Sequence, residues 1–220
     1  LGLINASAFA QSPFTTGNLV VLRVGDGSAA LTSASTATYL DEYTPAGVLV
    51  QSVALSSSTD DKKSLTSAGS STSEGQITKS SDNTYILVTG YGIKTGIAAI
   101  ATGTNASADT PRVVAVIDKN ANIDLTTRLT DAYSRNNIRG VASTNGTDIW
   151  VSGNSSTSGG VRYTTKGGTT TVQLATAPTN VRALGIFNGQ LYVTSASSPY
   201  FGVAAVGTGL PTTSGQTISL

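Results

Sequence analysis

The chain has 220 residues with no His, no Cys and no Met, and its 13 Lys and Arg nearly balance its 12 Asp and Glu. Without His or Cys it has no Ser-His-Asp or Cys-His nucleophile system, no usual zinc site and no thiolate chemistry. A net charge of +1 gives no clustered basic surface, so we expect no nucleic-acid partner. No apolar run of about 18 residues exists, so we expect no membrane insertion.

The remaining composition favours a folded, β-rich extracellular protein. Charged residues make up 11% of the chain, less than half of the roughly 25% found in ordinary soluble domains, and there are 24 Gly. With 39% hydrophobic residues and a mean hydropathy of +0.06, the chain can bury a real core.

The first twelve residues resemble the end of a secretory signal. The segment 1–12 is apolar and small, and Ala8-Phe9-Ala10 matches a signal cleavage site, although the positively charged beginning is missing. We therefore expect residues 1–12 to be a signal remnant or a lead-in segment, the protein to be secreted, and the sequence to start inside a longer open reading frame. An ordinary first strand is the alternative.

Internal repeats dominate the rest of the chain. The segment 74–90 aligns without a gap on 137–153, and with one deletion on 180–195. Each copy predicts a strand, a tight turn and a second strand, because Asn-Gly between β-type segments is the strongest short hairpin signal. The predicted turns are Asp82-Asn83, Asn145-Gly146 and Asn188-Gly189.

A second predicted hairpin follows each of these copies, so the repeating unit is a four-stranded antiparallel meander. A period of about 40 to 50 residues with four strands is typical of a β-propeller blade. A β-sandwich or a parallel β-helix explains the repeats less well. The fold class is thus all-β, a β-propeller within 13–220, with helices scarce and about four blades at approximately 13–70, 71–134, 135–178 and 179–220.

The two ends of the repeat region suggest an incomplete ring. The segment 18–25 matches the second strand of the later copies, so the first inner strand is absent or supplied by residues 9–15. Leu220 falls where Leu55, Leu129 and Leu174 close their units. We expect the four units to be the N-terminal half of a six- to eight-bladed ring, with a self-contained four-bladed ring as the alternative.

Several stretches resemble a family of secreted, largely uncharacterised bacterial β-propeller proteins. These stretches are 17–27, 40–47, 129–134, 136–139, 159–163 and 207–215, and the resemblance covers nearly all of the chain after residue 12. It implies a longer protein with further blades, and it supplies no catalytic residues.

Polar residues recur where the predicted inner strands begin, and they are the candidate ligand-binding residues. In a propeller these strands line the central channel, and the loops entering them form a face where ligands commonly bind. The candidates, including two from the preceding connection, are Glu74, Gln76, Tyr133, Arg135, Asn137, Arg139, Asn180 and Arg182. Bracing between neighbouring blades is the alternative role for Arg139 and Arg182.

Other chemically suggestive residues have simpler explanations. Asp118-x-Asn120-x-Asn122-x-Asp124 imitates the start of a calcium loop but lacks its Gly and its bidentate Glu, so a polar turn is expected and no metal or cofactor is predicted. Asp41 and Glu42 are neighbours on a strand and should face opposite sides. Trp150 occupies the repeat position that Leu87 and Tyr192 fill in the other copies, so we expect it to pack in the core.

The sequence favours a non-catalytic binding or scaffold module at the cell surface or in the extracellular space, with a carbohydrate or a protein as its ligand. Two alternatives stay open. One is a carbohydrate lyase or hydrolase that acts at the channel through Tyr, Arg and a carboxylate; the other is a structural module of a larger surface protein. The lack of His weakens the enzyme reading without excluding it.

Overall fold

The computed structural model describes residues 11–56 and 59–220, so the predicted signal cleavage site at residues 8–10 lies outside the described residues. The described residues form sixteen strands and one short 3-10 helix at Asp61–Lys63. All pairings between these strands are antiparallel. The all-β class is confirmed. No helix in the described ranges has the length and apolarity that crossing a bilayer requires.

The first sheet has three strands, in the order β1 (Leu19–Val24), β2 (Ser35–Tyr43) and β3 (Leu49–Ala54). A short strand, β4 (Thr66–Ala68), pairs with both β2 and β6 and thereby connects the first sheet to the second. Residues 11–15, part of the segment considered for an inner strand, form no strand. Instead, the Phe14 backbone N–H donates to the Lys119 carbonyl at 2.8 Å.

The remaining strands form three four-stranded meanders in which each strand pairs with the next along the chain. The first meander, called the second sheet, is continuous with the first sheet through β4 in one eight-stranded sheet, whereas the other two meanders are separate sheets. The second sheet contains β5 (Ile77–Lys79), β6 (Tyr85–Tyr91), β7 (Arg112–Asp118) and β8 (Ile123–Leu129). The third contains β9 (Ile138–Ser143), β10 (Asp148–Gly153), β11 (Gly160–Thr165) and β12 (Val172–Gln173). The fourth contains β13 (Val181–Phe187), β14 (Gln190–Ser195), β15 (Gly202–Val206) and β16 (Ile218–Ser219).

The tight turns form where the Asn-Gly and Asp-Asn pairs predict them. Gly146 has φ +77°, while Asn188 and Gly189 have φ +49° and +74°, the left-handed region that these residue types tolerate best. In the first of these turns the Asn145 side-chain oxygen accepts the Thr147 N–H at 2.8 Å, which fixes the turn locally.

Apolar clusters fill the space between successive sheets. Leu40 of the first sheet packs with Val88 of the second, and Leu87 of the second packs with Val141 of the third. Trp150 of the third sheet is 2% exposed and packs with the fourth. Because neighbouring strand residues face opposite sides, the second and third sheets each bury both faces, which explains their runs of apolar residues.

The first strands of the three meanders lie next to one another, since β9 contacts both β5 and β13. A β-bulge interrupts β9 opposite Ser152 and Gly153, and a second bulge interrupts β13 between Val181 and Ala183. A bulge leaves one residue unpaired and re-aims its side chain. The bulged residues are Arg139 and Arg182, two of the candidate ligand-binding residues.

Candidate functional site

Glu74, which precedes β5, is the centre of a polar cluster that joins the second sheet to the third. Its Oε1 accepts hydrogen bonds from the Tyr91 hydroxyl at 2.6 Å and from the Asn137 side-chain amide. Its Oε2 accepts the Ala68 backbone N–H at 3.0 Å. Three donors therefore hold one half-buried carboxyl group, and one of them comes from the neighbouring sheet.

Burial dominates the protonation chemistry of this cluster. It raises the pKa of Glu74, and the donated hydrogen bonds offset only part of that effect. Burial, followed by the charge of Glu74, also raises the pKa of Tyr91 well above its ordinary value. The raised pKa of Glu74 moves this carboxyl group towards the range of a general acid, whereas the raised pKa of Tyr91 makes the phenol a poorer proton donor near neutral pH. However, Tyr91 is fully buried and its hydroxyl donates to Glu74, so it does not face solvent.

The repeat alignment identified neither Tyr91, which donates to Glu74, nor Arg112, which lies over the Tyr91 ring. The Arg112 guanidinium lies 5.1 Å from the centre of the Tyr91 ring and is fully buried, and burial lowers its pKa. It donates to the carbonyls of Thr110 at 2.7 Å and Asn136 at 2.9 Å. The available signal was an arginine at the start of an otherwise apolar strand, Arg112-Val-Val-Ala-Val-Ile-Asp118.

Arg139 braces the third sheet against the fourth. Its Nη1 donates to the Asn180 side-chain oxygen at 2.5 Å and to the Val181 carbonyl at 3.1 Å, and the residue is only 4% exposed. Its Nε is buried without a partner among the described residues. Burial and then the positive charge of Arg182 lower the pKa of Arg139.

Gln76 reaches past the third sheet. Its side-chain amide donates to the Arg182 carbonyl at 2.9 Å, a contact between the second and the fourth sheets. A second brace lies nearby, since the Thr78 hydroxyl donates to the Val141 carbonyl at 2.7 Å. The polar residues at the inner-strand starts are thus largely engaged with neighbouring sheets.

Tyr133 and Arg135, the two candidates from the connection before β9, differ in burial. Tyr133 is fully buried in the apolar cluster between the second and third sheets, and its hydroxyl donates to the Gly160 carbonyl at 3.2 Å. Its ring lies against Gly153, where an added Cβ would meet a ring carbon at 2.6 Å. Arg135, in contrast, is exposed and has a left-handed backbone with φ +55°.

A cleft with a volume of 590 Å³ lies at the outer edge between the first and second sheets. Its lining residues are Ala54, Leu55, Lys62, Lys63, Ile123, Leu125, Thr126 and Arg128, none of which is a candidate ligand-binding residue. The inner-strand cluster is therefore a set of contacts between sheets and does not line this cleft.

The calcium-like segment is a hydrogen-bonded turn. Asp118 Oδ1 accepts the backbone N–H groups of Asn120 at 2.8 Å and Asn122 at 2.9 Å, which is the geometry expected of an Asx turn. Asp124 forms an ion pair with Lys166 at 3.2 Å. Within 11–56 and 59–220, no group of three or more acidic side chains is placed to hold a metal ion.

Asp41 and Glu42 point to opposite sides of β2 and have separate partners. Arg23 donates to Asp41 Oδ2 at 2.5 Å, whereas Glu42 accepts the Thr15 N–H at 2.7 Å and the Gln51 amide at 2.7 Å. Both carboxylates are buried, and burial disfavours their charged forms. The hydrogen bonds that they accept favour the charged forms more strongly, so the pKa of each carboxyl group is lowered.

Among known proteins, only distant structural similarity is found. No protein-family model and no curated protein matches the chain. Among solved structures, it is similar to the hydrazine synthase of Kuenenia stuttgartiensis, with a TM-score of 0.48 and 15% identity over 86% of this chain. The chain spans 56% of the length of that structure. A similarity at this level carries no conclusion about function.

Proposed function

We propose that this protein is a secreted β-propeller that acts as a non-catalytic ligand-binding module in the extracellular space or at the cell surface, as the resemblance to secreted bacterial propellers implies. In this proposal the sheets are blades, and the four of them are part of a six- to eight-bladed ring whose other blades lie outside the chain. Three features support it: the meander order, the apolar layers between successive sheets, and the contacts of β9 with β5 and β13.

The observation that carries the non-catalytic role is the use of the inner-strand polar groups as braces. The carboxyl group of Glu74 accepts three hydrogen bonds, and the guanidinium of Arg139 donates to the next sheet. Groups committed to such contacts are poorly placed to exchange protons with a substrate. Arg135 and Arg182 are exposed, and they are the charged candidates that remain free to meet an anionic carbohydrate or protein.

A carbohydrate lyase or hydrolase is the second candidate function. Its specific support is the pairing of a carboxyl group of raised pKa with a tyrosine hydroxyl at 2.6 Å, in Glu74 and Tyr91. Such an enzyme would need Tyr91 to become accessible, since the residue is fully buried. A purely structural module of a larger surface protein is the third candidate.

The test is saturable binding of the protein to a glycan array, with and without calcium, followed by assays for turnover of each bound polysaccharide. Binding without turnover, weakened by Arg182→Ala and retained by the matched surface variant Lys119→Ala, supports the proposal. Turnover that is lost in Glu74→Gln would overturn it in favour of the enzyme. No binding to glycans or extracellular proteins would overturn it in favour of the structural module.

A further inference from the structure

Two of the hairpin turns contain an Asn-Gly pair, and the structure gives these two pairs different environments. Asn145-Gly146 lies between β9 and β10, and Asn188-Gly189 lies between β13 and β14. Asn-Gly is a reactive sequence, because glycine has no side chain to hinder attack of its backbone nitrogen on the preceding side-chain amide. The surroundings of each pair therefore decide whether this reaction proceeds in the folded protein.

The Asn145-Gly146 pair is held by hydrogen bonds on both reacting groups. The Gly146 backbone N–H donates to the Ser143 hydroxyl at 2.8 Å. The Asn145 side-chain oxygen accepts the backbone N–H groups of Thr147 at 2.8 Å and Asp148 at 3.0 Å. Both the attacking nitrogen and the amide that it would attack are thus engaged by other partners.

The second sheet also shields Gly146 from solvent. Gly146 is buried, and a Cβ built on it would lie 2.6 Å from a carbon of the Tyr85 ring. Hydroxide must reach the Gly146 N–H to remove its proton, and the Tyr85 ring and the hydrogen bond to Ser143 both obstruct that step. The folded protein therefore protects Asn145.

The Asn188-Gly189 pair lies in an open turn. These two residues alone separate the paired Phe187 and Gln190, and both are exposed. A Cβ built on Gly189 would meet nothing within 4 Å. Among the described residues, neither the Asn188 side chain nor the Gly189 N–H has a hydrogen-bond partner. The amide of Asn188 can therefore rotate towards the Gly189 nitrogen without breaking a hydrogen bond.

We propose that Asn188 is a site of spontaneous deamidation to aspartate and isoaspartate, and that the fold protects Asn145 from the same modification. Hydroxide removes the proton of the Gly189 N–H, and the nitrogen then forms a bond to Cγ of Asn188. The Cγ–Nδ2 bond breaks, and the amide nitrogen takes up a proton and leaves as ammonia. Water opens the resulting cyclic imide at either carbonyl, which gives aspartate or isoaspartate.

The isoaspartyl product changes the hairpin itself. It adds a methylene to the main chain of a two-residue turn, in which both residues need positive φ values to match the twist of the strands. We expect this product to lose the pairing of Phe187 with Gln190 and to unfold at a lower temperature than the aspartyl product. The inference does not depend on the proposed ligand, because Asn188 lies at the opposite end of β13 from Arg182.

The experiment incubates the folded protein at neutral and at mildly alkaline pH and measures each site by tryptic peptide mapping with mass spectrometry. Cleavage at arginine places Asn145 in the peptide 140–162 and Asn188 in the peptide 183–220, where it is the single asparagine. A parallel incubation in urea measures the intrinsic reactivity of the two sites, since both precede glycine.

We expect conversion at Asn188 to be several-fold faster than at Asn145 in the folded protein and to increase with pH, and the two rates to become similar in urea. Ser143→Ala should accelerate conversion at Asn145 and leave Asn188 unchanged, whereas Gly189→Ala should slow conversion at Asn188. The comparison within the wild type requires no variant to fold. Equal conversion at the two sites of the folded protein, no conversion at Asn188, or a difference that persists in urea would overturn the proposal.

Discussion

Two arginines at the same bulge position allow a direct test of the bracing role. Arg139→Ala removes two hydrogen bonds from a charged donor to Asn180 and Val181, and each such bond contributes about 1.5 to 3 kcal/mol. The substitution also removes the buried Nε of Arg139, which has no hydrogen-bond partner among the described residues. Losing this unsatisfied donor stabilises the folded state by about 1 to 3 kcal/mol. The centres of these ranges leave a net loss of about 2.5 kcal/mol in the free energy of unfolding of Arg139→Ala.

Arg182→Ala is the matched control, because the residue is exposed and its side chain has no described partner. Exposed substitutions of this kind change stability by about 0.5 kcal/mol or less. In urea denaturation followed by circular dichroism, with a slope of about 2 to 3 kcal/mol/M, Arg139→Ala should lower the midpoint by about 1 M and Arg182→Ala by less than about 0.3 M. Equal shifts in the two variants would refute the bracing argument.

Three further predictions concern the half-buried acid Glu74, a pair of turns and the calcium-like segment. Burial raises the pKa of Glu74 above its ordinary value of 4.5, so the folded protein binds its proton more tightly than the unfolded chain. Its contribution to stability is therefore largest below that value and falls as pH rises through the raised pKa. The stability difference between the wild type and Glu74→Gln, measured in urea at successive pH values, should decline across this window and then level off; a flat difference would contradict the reasoning. Gly146→Ala would place a Cβ 2.6 Å from the Tyr85 ring at φ +77° and should cost about 2 to 4 kcal/mol, whereas Gly189→Ala, with φ +74° and open space, should cost about 1 kcal/mol; thermal unfolding that ranks them otherwise would exclude the clash. Asp118→Ala should cost about 1 kcal/mol equally in calcium and in chelator, and a calcium-dependent shift of the wild-type melting temperature would disprove the turn interpretation.

The strand pairs were predictable because their determinants are local. Alternating apolar residues and turn pairs such as Asn145-Gly146 act within a few residues of each other, so β9 and β10 flank the turn that the sequence indicates. The segment before the first sheet was not predictable in this way, because the candidate inner-strand segment 9–15 has weak strand character. Its described part, 11–15, instead contacts the turn after β7 through Phe14.

The partners of the polar residues could not be predicted, because each brace joins residues far apart in the chain. Arg139 and Asn180 are 41 residues apart, and no local pattern specifies which carbonyl or amide a bulged arginine reaches. Tyr133 illustrates the same limit. Its position in a polar connection suggests exposure, yet the missing side chain of Gly153 leaves the space that its ring fills.

The hydrogen bond from Gln76 to the Arg182 carbonyl has a consequence for the order of folding. It joins residues 106 positions apart and crosses from the second sheet to the fourth. Each meander consists of local hairpins that can form early, whereas a contact of this span must wait for long-range loop closure. Loss of the Gln76 amide should then leave the folding rate nearly unchanged and accelerate unfolding. We therefore expect this contact to form late in folding, after the hairpins of the two meanders that it joins.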